Sequence, residues 1–276
     1  MALEALFNAI AAAIHEKDGK TDGIAAEDFP ARILAIPAGI EGPHLESIEI
    51  AEPPLKTIYT AGEEFDPSDM SVYANFSDGN VLHIDHANLT FDPTGPLEKG
   101  TSAITVNFQW GLKMVSASQP ILVWWSPHMT DNAKPAPYVA SADAEYTDST
   151  GNVYYAYKAF DGSISGTRGQ YWYSAAQSGR FVQLYFGDAV AITGIRMFPA
   201  ETAAAYFPKM VTVQVSEDGN EWATVIDNSG EGYSPESKRW REIIFASSVS
   251  CRYCKLLCGA AYNGQDQSTI SEIEFL

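Results

Sequence analysis

Residues 156–174, AYKAFDGSISGTRGQYWYS, decide how the rest of this sequence is interpreted. The stretch contains the turn dipeptide Asp161-Gly162 and ends on aromatic residues around Trp172. It is followed by the run 181–186, whose alternating apolar residues are typical of a half-buried strand. A loop that leads into such a strand indicates a β-sandwich, in which loops on a rigid scaffold form the binding surface. We therefore expect this loop to face a ligand.

Composition and charge argue against several classes of partner. The 276 residues include 17 basic and 35 acidic side chains, a formal net charge of −18, without a cluster of Lys or Arg. Nucleic acids and anionic membrane surfaces are bound through local positive charge, so we expect neither partner. The length predicts two domains, or three small ones. The first residues lack the basic start of a signal peptide, and no apolar run is long enough for membrane insertion.

Residues 138–276 form the largest predicted unit, and its pattern is all β. Apolar residues alternate with polar ones around Leu184 and Val213, and Asp218-Gly219-Asn220 is typical of a hairpin turn. Further strand-like runs follow up to the last residues of the sequence. A unit of this length and pattern predicts a jelly-roll-like β-sandwich.

The order of segments in this unit resembles the discoidin family, also called coagulation-factor C domains, whose bacterial members are galactose-binding-like carbohydrate modules. The resemblance is carried by AYKAFDG (156–162), YWYS (171–174), FVQLYFG (181–187), ITGIRMFP (192–199), VTVQVSEDGNEWATV (211–225), RYCKLLC (252–258) and SEIEFL (271–276). It implies a mainly β fold, a discoidin-like jelly-roll β-sandwich whose binding loops gather at one end.

Many members of that family hold a structural calcium ion between the loop after the first strand and the end of the chain. Carried over by position, Asp161 supplies a carboxylate, Ser163 a carbonyl oxygen and Glu272 a second carboxylate, and calcium prefers such oxygen ligands. The family has a Thr or Ser closely after the Asp and a Trp two residues later, whereas Thr167 and Trp172 stand further apart here. An altered site, or a simple turn at Asp161-Gly162, is therefore the alternative to calcium.

Sugar recognition in such modules uses an aromatic ring against the apolar face of the sugar and polar side chains for its hydroxyls. The loops at one end of the predicted sandwich offer the candidate ligand-binding residues Tyr171, Trp172, Tyr173, Tyr206, Phe207, Tyr262 and Asn263. This set suits a glycan or a protein epitope, and Trp172 also has a structural interpretation as part of the core. Galactose-binding relatives carry an Arg and an Asn in the loop that is PAETAAAYFPK here, so galactose specificity is not inherited.

Residues 43–123 alternate between short β-rich runs and turn signals such as Asp78-Gly79, which predicts a small antiparallel sandwich. The order of KTIYTAGEEF (56–65), VYANFSDG (72–79) and GTSAITV (100–106) resembles bacterial immunoglobulin-like domains. The resemblance implies a spacer without chemistry of its own. Residues 124–137, with two tryptophans and three prolines, predict a linker to the next unit.

Residues 1–42 predict a small N-terminal helical segment, because apolar residues recur at helical spacing over 3–14 and again over 29–36. Two short helices cannot bury their apolar faces alone, so they need a partner. The stretch AAAIHEKDGKTDGIAAEDFPARILAI (11–36) resembles an N-terminal module of tail-associated structural proteins of bacteriophages and prophages. The resemblance implies attachment to other virion proteins, or a homo-oligomer. The alternative is that the helices pack on the next domain.

Catalytic signatures are missing from the sequence. It contains no G-x-S-x-G, no H-E-x-x-H and no phosphate loop, and no carboxylate pair can be assigned to acid-base work, so we predict a protein that is not an enzyme. The three cysteines lie in a predicted strand, where Cys254 and Cys258 share one face and Cys251 takes the other. We expect them to be buried structural residues without a disulfide framework.

These observations together predict a virion structural or adhesion protein, tail-associated or decorating the particle exterior, whose C-terminal head binds host-cell or mucosal glycans. Several copies on one particle strengthen weak sugar contacts. Two alternatives stay open: a bacterial cell-surface or secreted carbohydrate-binding protein, and a purely structural component of a particle. Apart from calcium, we expect no cofactor.

Overall fold

The computed structural model describes residues 10–12, 14, 43–174, 180–228, 230 and 232–276. In these residues the fold is mainly β, as predicted. Residues 10–12 and 14 are helical. The remainder of the predicted N-terminal helical segment lies outside the described residues.

The first eight strands are short. They are β1 (Leu45–Glu52), β2 (Ile58–Thr60), β3 (Ser71–Phe76), β4 (Val81–Ile84), β5 (Leu89–Asp92), β6 (Ala103–Trp110), β7 (Lys113–Pro120) and β8 (Leu122–Trp124). Strands β1-β3-β4 form one antiparallel sheet, β5-β6-β7 form a second three-stranded sheet, and β2 pairs with β8 in parallel. In β3 every second side chain, Val72, Ala74 and Phe76, is buried, which is the alternation of a sheet with one wet face. The immunoglobulin-like identity of this region stays a prediction.

Ten further strands follow. They are β9 (Val139–Ala142), β10 (Tyr146–Thr147), β11 (Val153–Tyr154), β12 (Trp172–Ser174), β13 (Phe181–Phe198), β14 (Val211–Ser216), β15 (Ala223–Asn228), β16 (Arg241–Cys258), β17 (Ser268–Ile270) and β18 (Glu272–Phe275). Short 3₁₀ turns occupy His86–Asn88, Ala156–Ala159, Ala204–Tyr206 and Pro235–Ser237. The predicted hairpin turn at Asp218-Gly219-Asn220 joins β14 to β15, and Gly219 has the positive φ of 77° that such a turn requires.

The largest sheet in the described residues has the order β15-β14-β16-β13-β18, with β9 also paired to β13. Its inner face is lined by alternate residues such as Val182, Leu184 and Val213, all fully buried. Each buried side chain of this size stabilises the fold by about 1.5–3 kcal/mol. The sequence suggested two separate strand-like stretches, at 181–187 and 192–199, where the structure has the single long strand β13. The register of β13 with β16 shifts between Tyr185 and Val190.

The core of this part lies between the large sheet and the short β12–β17 ladder. Trp172 on β12 is opposite Ile270 on β17, and both are fully buried in the same apolar cluster as Leu184. Phe160 stacks on Phe275 with 6.2 Å between ring centroids. The two layers bury one core, as the predicted β-sandwich requires.

The chain divides into two compact units. Met1–Glu52, Ser71–Thr90 and Asn107–Ala117 form the first, and Pro53–Met70, Phe91–Val106 and Ser118–Leu276 form the second. Trp124 and Trp125, from the predicted linker, are buried in the second unit, where the Trp125 ring contacts those of Phe186 and Phe275. The predicted domain limits at residues 43–123, 124–137 and 138–276 stay a prediction.

The cysteines are free and buried. Cys254 and Cys258 point inward from β16 as expected, but Cys251 is also fully buried in the core and does not face outward. The in-and-out alternation of β16 is broken between Cys251 and Cys254, where Arg252 and Tyr253 are both half-buried, and the pairing with β13 shifts register at the same place. Burial raises the pKa of the Cys251 and Cys258 thiols to about 12.

No helix of the described residues has the length and apolar character of a membrane span.

Candidate ligand-binding site

A cleft of about 280 Å³ lies where the β10–β11 hairpin, the loop before β12 and the loop after β13 meet. It is lined by Tyr146, Asp148, Ser149, Tyr154, Arg168, Tyr171, Tyr173, Thr202, Ala203 and Tyr206. All of these residues belong to the second unit. Its volume is at the lower end of small-molecule pockets.

Five tyrosines form the wall of the cleft. Tyr173 is at their centre, with ring centroids 4.6 Å from Tyr146, 5.7 Å from Tyr154 and 6.2 Å from Tyr206. Tyr154 in turn lies 4.9 Å from Tyr171. These separations are those of mutually stabilising aromatic pairs. Tyr154 and Tyr171 are buried, whereas Tyr146, Tyr173 and Tyr206 keep part of their rings exposed to the cleft.

Strand alternation explains which aromatic residues reach the cleft. Trp172 points into the core, and its Nε1 donates to the carbonyl oxygen of Ala144 at 3.2 Å. Its neighbours Tyr171 and Tyr173 point to the other side and join the tyrosine wall. Alternate residues of the YWYS segment therefore pack in the core and line the cleft.

Gly166 brings the Arg168 loop against the loop after β13. A Cβ at Gly166, whose φ is 54°, would lie only 2.2 Å from the Glu201 backbone nitrogen. Thr202 donates to the Gly166 carbonyl through its backbone N–H at 3.3 Å and through Oγ1 at 3.2 Å. Only glycine combines this backbone conformation with so close an approach.

Asp148 organises the β10–β11 turn. Its Oδ1 accepts from the backbone N–H groups of Thr150 and Asn152 and from the Thr150 hydroxyl, at 2.7–3.0 Å. Its Oδ2 accepts from the Asn152 side chain at 3.0 Å and from the Tyr154 hydroxyl at 3.2 Å. The hydrogen bonds from the side chains of Asn152 and Thr150 hold the pKa of Asp148 far below its ordinary value, so the carboxylate is charged at every working pH.

The hydroxyls of Tyr154 and Tyr173 remain protonated. Burial, with a smaller effect of the neighbouring Tyr206 and Tyr146, raises the pKa of Tyr173 to about 12. Burial, with a smaller effect of Tyr171, also raises the pKa of Tyr154. Both phenols therefore act as neutral hydrogen-bonding groups at physiological pH.

Only three of the seven predicted ligand-binding residues line the cleft: Tyr171, Tyr173 and Tyr206. Trp172 and Phe207 are fully buried in the core. Tyr262 donates its hydroxyl to the Gly230 carbonyl at 2.9 Å, and Asn263 is exposed on the neighbouring turn, whose backbone bonds to the loop after β13.

Sequence reasoning missed Tyr146, Asp148, Tyr154 and Arg168. A signal for the first three was present, since YTDSTGNVYY (146–155) reads as a tight turn between tyrosine-bearing strands. Nothing in the sequence indicated that this hairpin meets the Arg168 loop, because that contact joins segments without regular secondary structure.

The predicted calcium ligands do come together. Glu272 is fully buried, and its Oε2 accepts from the Gly162 backbone N–H at 2.9 Å. Asp161 Oδ1 accepts from the Ser163 backbone N–H at 2.9 Å, and the Ser163 carbonyl accepts from the Ser271 hydroxyl at 3.2 Å. Burial raises the pKa of both carboxyl groups, Glu272 the more strongly.

As arranged, these residues do not fit a calcium ion. The ammonium group of Lys158 lies 3.2 Å from Asp161 Oδ2, an oxygen assigned to the cation, and 3.2 Å from Gln170 Oε1. Of the predicted ligand atoms only Glu272 Oε1 lacks a hydrogen-bond donor, whereas calcium takes six to eight oxygens. No cluster of three or more His, Cys, Asp or Glu suited to a metal occurs in the described residues.

Residues 140–273 match the family model of the F5/8 type C domain, so this part of the chain is similar to discoidin-like domains. The match covers just under half of the chain. No curated protein matches the sequence.

Several solved carbohydrate-binding modules have a similar structure. CBM32-5 from Clostridium perfringens, solved with GalNAc-β-1,3-galactose, is 20% identical over 50% of this chain and 94% of that chain, with a TM-score of 0.43. The family 32 module of NanJ from C. perfringens, solved with galactose, is 18% identical over 50% of this chain and 92% of its own, with a TM-score of 0.41. A chitosan-binding module from Paenibacillus sp. IK-5 is 17% identical over 55% and 98%, with a TM-score of 0.40.

Proposed function

We propose that the second unit is a non-catalytic glycan-binding module and that the tyrosine cleft is its binding site. One observation carries the proposal: half-buried tyrosine rings and unengaged polar groups converge in one cleft at the loop end of a discoidin-like sandwich. Rings of this kind offer the apolar face of a sugar a large contact area, and their hydroxyls hydrogen-bond its polar rim.

The cleft is a binding site without catalytic equipment. Asp148 is the single carboxylate among its lining residues in the described chain, and its low pKa keeps it ionised. Glycoside hydrolysis uses two carboxyl groups, one of them with a raised pKa. The cleft has no such pair, which supports recognition without turnover.

Binding of glycans to the full chain, measured by calorimetry after a panel screen, tests the proposal. Tyr206→Ala removes a half-exposed ring from the cleft, and we expect it to weaken binding at least about tenfold. Tyr155→Ala is the matched control, because Tyr155 is 40% exposed, stacks on Tyr157 and does not line the cleft. Equal affinity of the two variants would contradict the assignment of the site, and absence of any glycan ligand would contradict the function.

We further propose that this binding head is displayed on a virion, as a tail-associated or decorating protein, with the N-terminal segment as its attachment point. The resemblance of residues 11–36 to phage tail-associated modules and the many-copy display that weak sugar binding favours support this setting. Detection of the chain in purified particles tests it. Recovery from a bacterial surface or secreted fraction alone would favour the bacterial carbohydrate-binding protein instead.

A further inference from the structure

We propose that the cleft selects sugars that carry a carboxylate group, with Arg168 as the residue that recognises it. This inference rests on the proposed glycan-binding function and names the class of ligand. It follows from which polar groups in the cleft are already engaged and which are not.

The Asp148 carboxylate has no hydrogen-bond acceptor position left for a ligand. A carboxylate offers about four lone-pair positions, and Asp148 accepts five hydrogen bonds, from Thr150, Asn152 and Tyr154. Its side chain is only 12% exposed. The one acidic group of the cleft is therefore part of the scaffold, and it offers no acceptor to the hydroxyls of a neutral sugar.

Arg168, in contrast, has hydrogen-bond donors that remain available to a ligand. Its Nε is 3.9 Å from Asp148 Oδ2, too far for a hydrogen bond, and its side chain is 68% exposed. No hydrogen bond from its guanidinium to the described residues is formed within 3.5 Å. Five N–H donors in a planar fork thus stand at the rim of the cleft, and this fork matches a carboxylate with two parallel hydrogen bonds.

Asp148 forms a long ion pair with Arg168 at 3.9 Å and offsets its charge in part, while leaving its N–H donors unbonded. The acidic side chain on the neighbouring loop is engaged elsewhere. Glu201, on the loop after β13, is bound to the Lys238 ammonium at 2.6 Å. The remaining polar groups of the cleft include the hydroxyls of Tyr154 and Tyr173, which stay protonated, and the Thr202 hydroxyl, which donates to the Gly166 carbonyl. Because the Tyr154 and Thr202 hydroxyls donate within the protein, Arg168 carries the main set of unused donors in the cleft, and it suits a ligand with a carboxylate acceptor.

A matched pair of ligands tests the inference. Oligogalacturonate and its methyl ester have the same sugar ring and linkage, and only the first carries carboxylates. By calorimetry at low salt, we expect the full chain to bind the acid about tenfold more tightly than the ester, the effect of one charge-assisted hydrogen-bonding contact at an exposed site. The preference should decline as salt is added, because exposed charges are screened.

Substitutions of Arg168 test whether the preference for the acid over the ester depends on this residue. Arg168→Gln is expected to bind acid and ester equally, and Arg168→Lys to retain part of the preference, since a lysine keeps the charge but not the fork. Lys113→Gln, an exposed residue outside the cleft, makes the same change in net charge and should leave the preference intact.

The outcomes separate the two proposals. If wild-type protein binds acid and ester equally, or if Arg168→Gln retains the preference, the inference is wrong and the glycan-binding function stands. If neither ligand binds but neutral glycans from the panel do, and Tyr206→Ala abolishes that binding, the inference is likewise wrong. If no glycan of either kind binds, both proposals fall.

Discussion

Replacing Arg196 by Met tests how the core of the second unit tolerates a buried charge. Arg196 Nε donates to Glu274 Oε2 at 2.7 Å, and its Nη2 donates to Thr60 Oγ1 at 3.1 Å. The guanidinium carbon lies 4.2 Å from the ring centroid of Trp240 and 5.0 Å from that of Trp124. Arg196→Met keeps an unbranched side chain between the two rings and removes the charge and the hydrogen bonds.

The expected loss of stability is large because both partners are buried. The side chains of Arg196 and Glu274 are 7% and 8% exposed. Removing one partner of such a pair leaves the other charge without compensation, which costs about 3–5 kcal/mol. Arg196→Met combined with Glu274→Met should recover most of this loss, since well-packed apolar residues replace buried ion pairs with little cost.

The loss of stability caused by Arg196→Met should be larger at neutral pH than at acidic pH. Burial raises the pKa of Glu274 even with Arg196 beside it, and removal of Arg196 raises that pKa further. A carboxyl group with a raised folded-state pKa contributes stability below its unfolded-state pKa and loses it as pH rises through the folded-state value. Arg196→Met should therefore destabilise the protein more at pH 7 than at about pH 4.

Urea denaturation of the full chain, followed by tryptophan fluorescence at both pH values, measures these differences. Arg168→Met is the control, because its side chain is 68% exposed and its removal should change stability by less than about 0.5 kcal/mol. A loss below about 1 kcal/mol for Arg196→Met at pH 7 would refute the reasoning, as would a double variant no more stable than the single one.

Three further predictions follow from the contacts around the cleft and the core. A chelator should leave the midpoint of thermal unfolding unchanged, and a midpoint that rises with calcium would contradict this. Lys158→Met should lower the free energy of unfolding by about 1–3 kcal/mol, because the Lys158 ammonium group balances the charge of the Asp161 carboxylate. Gly166→Ala should weaken glycan binding, because its Cβ would collide with the Glu201 backbone, and wild-type affinity would show that the loop contact is irrelevant. The three buried thiols should react with a maleimide only after denaturation, and rapid labelling of native protein would show that the core opens.

Local pattern was sufficient to predict some of the strands. The alternation around Leu184 and Val213 predicted β13 and β14, and Asp218-Gly219-Asn220 predicted the turn to β15, because each depends on neighbours in sequence. The length of β13 and the inward direction of Cys251 were not predictable. Both lie where the pairing of β13 with β16 is irregular, and that pairing joins residues about sixty positions apart.

The candidate site was predicted in part for the same reason. The aromatic segment YWYS was recognised, but its division between core and cleft depends on the strand pairing of Trp172 with Ile270. The roles of Asp148 and Arg168 depend on three loops that are distant in sequence and meet in space.

The sequence by itself thus determined the fold class, the similarity of residues 140–273 to the F5/8 type C family model and an aromatic-rich loop end, because alternation, turn dipeptides and composition are local properties. The tertiary structure alone decided which tyrosines share a wall and that Lys158 lies beside Asp161. It also decided that Asp148 is saturated while Arg168 is left without a hydrogen-bonding partner among the described residues. These are properties of contacts between distant segments, and their chemistry is defined only once the chain has brought those segments within a few ångströms of each other.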